Sequence, residues 1–129
     1  MNLIDAGLGL VEPGKVEIEL PFRADLTQQD GYLHAGVITT IADSACGYAA
    51  FSLMPNGSRV LSVEFKVNLL RPARGETFVA RAEVIKGGTN LECRARRCLC
   101  HRREFRKNTG SNHARDNDVF GMNPCLFSR

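Results

Sequence analysis

One long amphipathic helix, predicted over residues 34–52, is the feature that most constrains what this chain can fold into. Its apolar residues recur at helical spacing and would cover about half of the helix circumference. They are Val37, Ile38, Ile41, Ala42, Ala45, Cys46 and Ala49. Asp43 falls well outside this arc. The segment is rich in Ala, Gly and Ser, so other backbone can approach it closely, and Pro55-Asn56-Gly57 ends it with turn-forming residues.

Strands with period-two alternation lie on both sides of this helix. Residues 15–22 alternate Val16, Ile18 and Leu20 with glutamates, after a turn at Pro13-Gly14. Residues 59–70 and 76–85 alternate in the same way, and Lys86-Gly87-Gly88 is typical of a hairpin turn. One helix with several antiparallel strands predicts an α+β domain.

The charge distribution divides the chain at about residue 93. Residues 1–93 carry 8 Lys/Arg and 11 Asp/Glu, a net charge of −3, whereas residues 94–129 carry 9 and 3, a net charge of +6. The strand alternation also stops after Cys93 as arginines accumulate. We therefore predict a domain at residues 1–93 and a basic, atypical tail at residues 94–129, with loop or disorder at residues 108–118.

Several function classes are disfavoured by composition. No apolar run approaches the roughly 18 residues that span a bilayer, and the start lacks a basic stretch followed by an apolar one. An odd count of 5 cysteines favours the cytoplasm over a disulfide framework. The tail cysteines and histidines match no zinc-site spacing, and its arginines form no nucleic-acid motif. We expect no metal, nucleic acid or membrane partner.

The start of the long helix has the chemistry of an oxyanion site. Backbone amides at Ala35 and Gly36 lack intrahelical acceptors, and their small side chains would let a carbonyl oxygen come close. Asp43 could act as a base or a nucleophile, but it lies seven residues after Gly36, about 10 Å along the helix. If both groups act on one substrate, Asp43 must come from a second subunit with an antiparallel helix, which predicts a two-fold dimer.

Residues 26–50, with the element His34-Ala35-Gly36 and Asp43 nine residues after the His, closely resemble the PaaI-type hotdog thioesterases. The strand at residues 60–65 and the connection at residues 70–76 resemble the next part of that family. The resemblance covers roughly residues 8–93. It implies the hotdog fold, in which an antiparallel sheet wraps around one central helix.

The same resemblance implies catalytic roles for four residues. Asp43 would be the nucleophile or general base, and the Ala35 amide would contribute to the oxyanion hole. Gln28 would orient the carbonyl or the water, and His34 would support the loop or the thioester.

The resemblance also implies a substrate and an assembly. Gly36 and Ser62 would contact the substrate, Ser62 near the water or the acyl group. The reaction would be hydrolysis of acyl-CoA, with an aryl or a short to medium acyl group. Coenzyme A would enter only as part of the substrate, with no separate cofactor. The protein would be a homodimer, or a tetramer of paired dimers.

Residues 94–129 depart from the family, whose members continue with the strands that complete the sheet. We hypothesise that this ending no longer follows the ancestral coding sequence, through a frameshift or a misplaced exon or gene boundary, and we expect those strands to be missing or altered.

Two alternatives to hydrolysis stay open. One is a hotdog hydratase or dehydratase of enoyl or hydroxyacyl thioesters. The other is a non-catalytic acyl-CoA binder or inactive remnant.

Overall fold

The computed structural model describes the backbone of residues 1–87, 91–101 and 117–128, and the side chains of residues 1–87. One α-helix, two short 3-10 helices and six strands form this part of the chain. In order they are a 3-10 helix at Asn2–Ile4, β1 (Gly7–Glu12), β2 (Lys15–Pro21), a 3-10 helix at Ala24–Leu26, α1 (Ala35–Phe51), β3 (Leu61–Leu69), β4 (Thr77–Lys86), β5 (Leu91–His101) and β6 (Asn117–Ser128).

The predicted helix is confirmed to within one residue at each end. His34 is its N-cap and Ser52 its C-cap, so α1 occupies the interior of the predicted range. The Ser52 hydroxyl accepts a hydrogen bond of 2.7 Å from the Gly14 amide, which fixes the C-terminal end of α1 to the turn between β1 and β2. Gly14 has a φ of 75°, a conformation that glycine adopts without strain, as expected for the predicted Pro13-Gly14 turn.

The six strands form one sheet in the order β1-β2-β4-β5-β6-β3, and every neighbouring pair is antiparallel. Helix α1 lies against one face of this sheet. The fold is α+β, with a single long helix and an antiparallel sheet around it, as predicted for a hotdog domain. The core between them is built from alternate residues of the strands and the predicted arc of the helix. It contains Val16, Ile18, Leu20, Ile38, Ile41, Ala42, Ala45, Cys46, Ala49, Ala50, Phe78, Ala80 and Ala82.

Two features of the sheet differ from the sequence prediction. Strand β1 was not predicted, because all six of its residues are exposed and their pattern shows no buried face. In β3, the alternation was predicted correctly as a strand, but its apolar residues Leu61, Val63 and Phe65 are 69%, 53% and 44% exposed. Within one copy of the chain, β3 therefore does not bury the face that its pattern suggests.

The C-terminal strands continue past the predicted boundary at residue 93. The backbone of β5 pairs with β4 from Glu92 to His101, and β6 pairs with both β5 and β3. The expectation that regular strand structure stops near Cys93 is therefore wrong for the backbone, which forms β5 and β6. Backbone pairing needs no side-chain alternation. The division into a domain and a tail stays a prediction. The predicted loop at residues 108–118 lies almost wholly outside the described residues. Gly88 of the predicted hairpin turn also lies outside them.

Candidate active site

His34 organises the start of α1 through both its backbone and its ring. Its backbone amide donates to the Leu26 carbonyl at 2.9 Å, and its carbonyl accepts from the Val37 amide at 3.0 Å. The ring Nδ1 accepts a hydrogen bond of 3.0 Å from the Gly36 amide. An accepting nitrogen carries no proton, so the neutral ring holds its proton on Nε2. His34 thus acts as a helix cap that connects the preceding loop to the helix.

The two small residues at the helix start differ in their amides. The Gly36 amide is occupied by the His34 ring. The Ala35 amide has no acceptor among the described residues, and Ala35 lines a pocket that Gly36 does not line. Ala35 therefore combines a place in the pocket wall with a helix-start amide that has no acceptor among the described residues. The prediction that Gly36 contacts the substrate stays a prediction, with its amide already engaged.

Gln28 is held in a compact turn beside the helix start. Its side-chain Oε1 accepts a hydrogen bond from the Asp30 amide. Its backbone amide donates to the Tyr32 carbonyl at 2.9 Å, and Thr27 and Leu33 form an isolated antiparallel bridge across the turn. Because Oε1 is engaged, the Nε2 group is the end of the side chain that remains to donate to a ligand.

A pocket of about 470 Å³ opens at this end of the helix. One wall comes from the turn and the first part of α1, and the other from the end of β3 and the connection that follows. The two walls are joined by a hydrogen bond of 3.2 Å from the Leu33 amide to the Ala73 carbonyl. The lining is mostly apolar and consists of Gln28, Asp30, Tyr32, Leu33, Ala35, Ile38, Leu69, Leu70, Arg71, Pro72 and Ala73.

The pocket contains residues to which sequence reasoning assigned no role. Tyr32 and Leu69 are examples, and the whole connection from Leu70 to Ala73 forms one wall. The sequence did contain a signal for this wall of the pocket, because residues 70–72 carry part of the family resemblance. What was missing was the pairing of this connection with the turn, which depends on backbone contacts. Arg74 reinforces that pairing by donating to the Tyr32 hydroxyl at 2.9 Å.

Asp43, in the middle of α1, and Ser62, on β3, form a second group. The Ser62 hydroxyl donates a hydrogen bond of 2.7 Å to Asp43 Oδ1, and both residues are partly buried. Neither of them lines the pocket, which lies at the start of the helix about 10 Å away. The structure therefore places the six predicted site residues in two groups. The helix-start group is Gln28, His34, Ala35 and Gly36, and the carboxylate group is Asp43 and Ser62.

The resolved pKa shifts belong to neither group. A hydrogen bond from Arg23 lowers the pKa of Asp25, and the same bond raises the pKa of Arg23. Both residues lie in the segment between β2 and α1, where Arg23 also forms a 2.7 Å ion pair with Asp5.

Among residues 1–87, no group of three or more His, Cys, Asp or Glu is arranged to hold a metal ion. The dismissed zinc site falls on tail residues whose side chains are not described.

Comparison with known proteins identifies the family of this arrangement. A family model described as Thioesterase superfamily matches residues 30–93. A solved thioesterase family protein from Silicibacter pomeroyi is 42% identical, with a TM-score of 0.86, and the match covers 98% of this chain and 86% of that one. The chain belongs to the thioesterase superfamily.

Other members of the thioesterase superfamily are more distant. Acyl-coenzyme A thioesterase 13 of Homo sapiens is 32% identical over 80 residues, which are 61% of this chain and 56% of that protein. The PaaI protein of E. coli shares the fold, with a TM-score of 0.76 at 16% identity over 99% of this chain and 81% of that one. The chain spans 54% to 64% of the length of matched relatives from Halobacterium salinarum and Saccharolobus solfataricus. In the described part of this superfamily member, no helix has the length and hydropathy of a transmembrane span.

Proposed function

We propose that this chain hydrolyses acyl-CoA thioesters to the free acid and coenzyme A. The observation that carries the proposal is the 2.7 Å hydrogen bond from Ser62 to Asp43 Oδ1. It holds a carboxylate at a fixed position on the same helix whose first residue, Ala35, lines the pocket. Membership of the thioesterase superfamily supports the same chemistry.

The helix start would stabilise the negative charge that develops on the thioester oxygen. The Ala35 amide and the Gln28 Nε2 group are the donors, and the positive end of the helix dipole adds to their effect. His34 does not touch the substrate in this scheme. It positions the Ala35 amide by capping the helix through Gly36.

Asp43 would activate the attacking water. Because Oδ1 accepts from Ser62, Oδ2 is the oxygen that takes the proton as the water oxygen bonds to the carbonyl carbon. The resulting tetrahedral intermediate collapses with cleavage of the carbon–sulfur bond, and the leaving coenzyme A thiolate takes up the proton that Asp43 had accepted, which returns Asp43 to its carboxylate form. Direct attack by Asp43 followed by hydrolysis of the anhydride is the covalent version of the same scheme. Neither version needs a metal or a separate cofactor.

The site would be shared between two copies of the chain. A reacting carbon must lie within roughly 3–4 Å of both the attacking group and the oxyanion donors. Within one helix, these groups are separated by about 10 Å. A homodimer with two equivalent sites resolves the conflict, and pairing of dimers into tetramers is compatible with it. Cytoplasmic location stays a prediction.

The pocket favours an apolar acyl group of modest size. Its volume of about 470 Å³ falls within the range of small-molecule sites, and its walls include Ile38, Leu69 and Pro72. An aryl group or a short to medium acyl chain suits such walls.

Replacement of Asp43 tests the assigned base. We expect Asp43→Asn to lower thiol release from aryl- and acyl-CoA by about 10²–10⁴-fold, because the amide keeps the shape of the side chain but cannot accept the proton. Asp30→Asn is the matched control, since Asp30 is the carboxylate that lines the pocket. Loss of activity in the control with full activity in Asp43→Asn would move the base to Asp30. Water addition to crotonyl-CoA without thiol release would identify a hydratase instead.

Mixed dimers test the shared site. A heterodimer of Asp43→Asn and Gln28→Ala subunits, purified through two different tags, has one site with both groups intact. Each parent homodimer has none. The heterodimer should regain about half of the wild-type rate, as expected for one of two equivalent sites. If both groups acted within one subunit, the heterodimer would be no more active than the mean of its parents.

A further inference from the structure

Tyr32 is the one aromatic residue among the described residues that line the pocket. Its side chain is partly buried, and the rest of the lining is aliphatic or polar. Two aromatic rings attract each other beyond the burial of their area, because offset and edge-to-face arrangements bring unlike partial charges together. Whether the pocket distinguishes an aryl group from a saturated one of the same size therefore depends on this side chain.

Both ends of Tyr32 are held in place. Its backbone carbonyl accepts a hydrogen bond of 2.9 Å from the Gln28 amide, and its phenol oxygen accepts one of 2.9 Å from Arg74 Nη2. The next residue, Leu33, is buried, and its amide donates to the Ala73 carbonyl at 3.2 Å. A ring that is fixed at its backbone and at its tip meets a ligand with little further loss of conformational freedom.

Arg74 also covers one face of the Tyr32 ring. Its guanidinium carbon lies 4.8 Å from the ring centroid, which is the distance of a cation–π contact. Arg74 is itself exposed and does not line the pocket. The cation therefore occupies the ring from outside the pocket, and the opposite face and the edge of the ring are left for the contents of the pocket.

The polarity of the pocket indicates which part of the substrate reaches Tyr32. Tyr32 lies three residues before Ala35, whose amide would bind the thioester oxygen, and both residues line the same pocket. The thioester carbon carries the acyl group on one side and, through sulfur, the pantetheine arm of coenzyme A on the other. The arm has amide groups that lose hydrogen bonds in apolar surroundings, whereas mostly aliphatic walls suit the acyl group.

We propose that Tyr32 is the specificity-determining residue of this pocket, and that it selects aryl thioesters over saturated ones of the same size by contact with the aryl ring. Arg74 is its positioning residue, which touches no substrate and acts by holding the Tyr32 ring. This inference rests on the proposed function, because it assigns the pocket to the acyl group of a thioester.

Replacement of the ring tests the selection. The measured quantity is kcat/KM for phenylacetyl-CoA divided by kcat/KM for cyclohexylacetyl-CoA, both from thiol release. Tyr32→Leu should lower this ratio by about 2- to 10-fold, because the contact between two aromatic rings is lost. Tyr32→Phe keeps the ring and should retain most of the ratio.

Phe22→Leu is the matched control for Tyr32→Leu. It makes the same change from an aromatic to an aliphatic side chain at an exposed residue that does not line the pocket. It should leave the ratio unchanged. A ratio that is unaltered in Tyr32→Leu, or that falls as far in Phe22→Leu, would overturn the proposal.

A double-mutant cycle tests the role of Arg74. Arg74→Met keeps an unbranched side chain but removes the charge and the hydrogen-bond donors. Alone, it should lower the ratio by less than Tyr32→Leu does, because the ring remains but is no longer fixed. In the Tyr32→Leu background it should have no further effect, since Arg74 acts through Tyr32. Additive effects, or an unchanged ratio in Arg74→Met alone, would contradict this role.

Binding of thioether analogues separates failure of this inference from failure of the proposed function. S-phenethyl-CoA and S-(2-cyclohexylethyl)-CoA present the same two rings and cannot be hydrolysed, and calorimetry gives the Kd of each. A protein that releases no thiol, but whose preference for the phenyl analogue falls in Tyr32→Leu, loses the function and keeps the selection by Tyr32. A protein that hydrolyses both thioesters with a ratio indifferent to Tyr32 keeps the function and loses the selection.

Discussion

Strands β2 and β3 carry the same alternating pattern and have opposite surroundings. In β2, Val16, Ile18 and Leu20 are at most 1% exposed, whereas in β3 the apolar residues Leu61 and Phe65 are 69% and 44% exposed. The difference follows from their places in the sheet. Strand β2 lies between β1 and β4 and faces α1, while β3 is an edge strand. Alternation reveals which residues share a face, and it does not reveal what covers that face.

The largest effect that tests this contrast comes from two phenylalanines. Phe78 on β4 is fully buried, so Phe78→Ala should lower the free energy of unfolding by about 3–5 kcal/mol at every protein concentration. Phe65→Ala should lower it by less than about 1 kcal/mol, because Phe65 is 44% exposed within one copy of the chain. Urea unfolding of the wild type and of both variants measures the two changes.

The two variants can also contradict the contrast. If Phe65→Ala lowered the free energy of unfolding as much as Phe78→Ala does, β3 would be a core strand of the single chain.

The sequence was most informative where burial is local. The helix and strands β2 and β4 were predicted because a repeating apolar face lies against the core of the same chain. Strand β1 has no such face, and β5 and β6 lie almost wholly after Cys93, where the sequence shows no sustained alternation. Their place in the sheet is set by backbone pairing with neighbours, a long-range property that single-strand patterns do not carry.

The candidate site shows the same limit at the level of single residues. Asp43 and Ser62 were both predicted, yet their direct contact joins residues 19 positions apart and depends on how β3 lies against α1. The pocket wall from Leu69 to Ala73 likewise depends on a backbone contact with the turn before the helix. The 10 Å separation of the two groups, in contrast, follows from helix geometry alone, and it could be predicted because α1 is one unbroken helix.

The smallest effect compares two strand glutamates, Glu17 on β2, which forms an ion pair, and Glu64 on β3, which forms none with a described side chain. Arg81 Nε donates to Glu17 Oε1 at 2.7 Å, and the two residues are in register on β4 and β2 of the same chain. Glu17→Gln should therefore lower the free energy of unfolding by about 0.2–1 kcal/mol, independently of protein concentration and less in high salt. Glu64 on β3 is exposed and forms no ion pair with a described side chain. Glu64→Gln should accordingly leave the free energy of unfolding within about 0.5 kcal/mol of wild type, at low and at high salt. Urea unfolding of both variants at the two salt concentrations measures these effects. A Glu64→Gln variant that loses as much stability as Glu17→Gln does, with the same salt dependence, would show that Glu64 is engaged within its own chain.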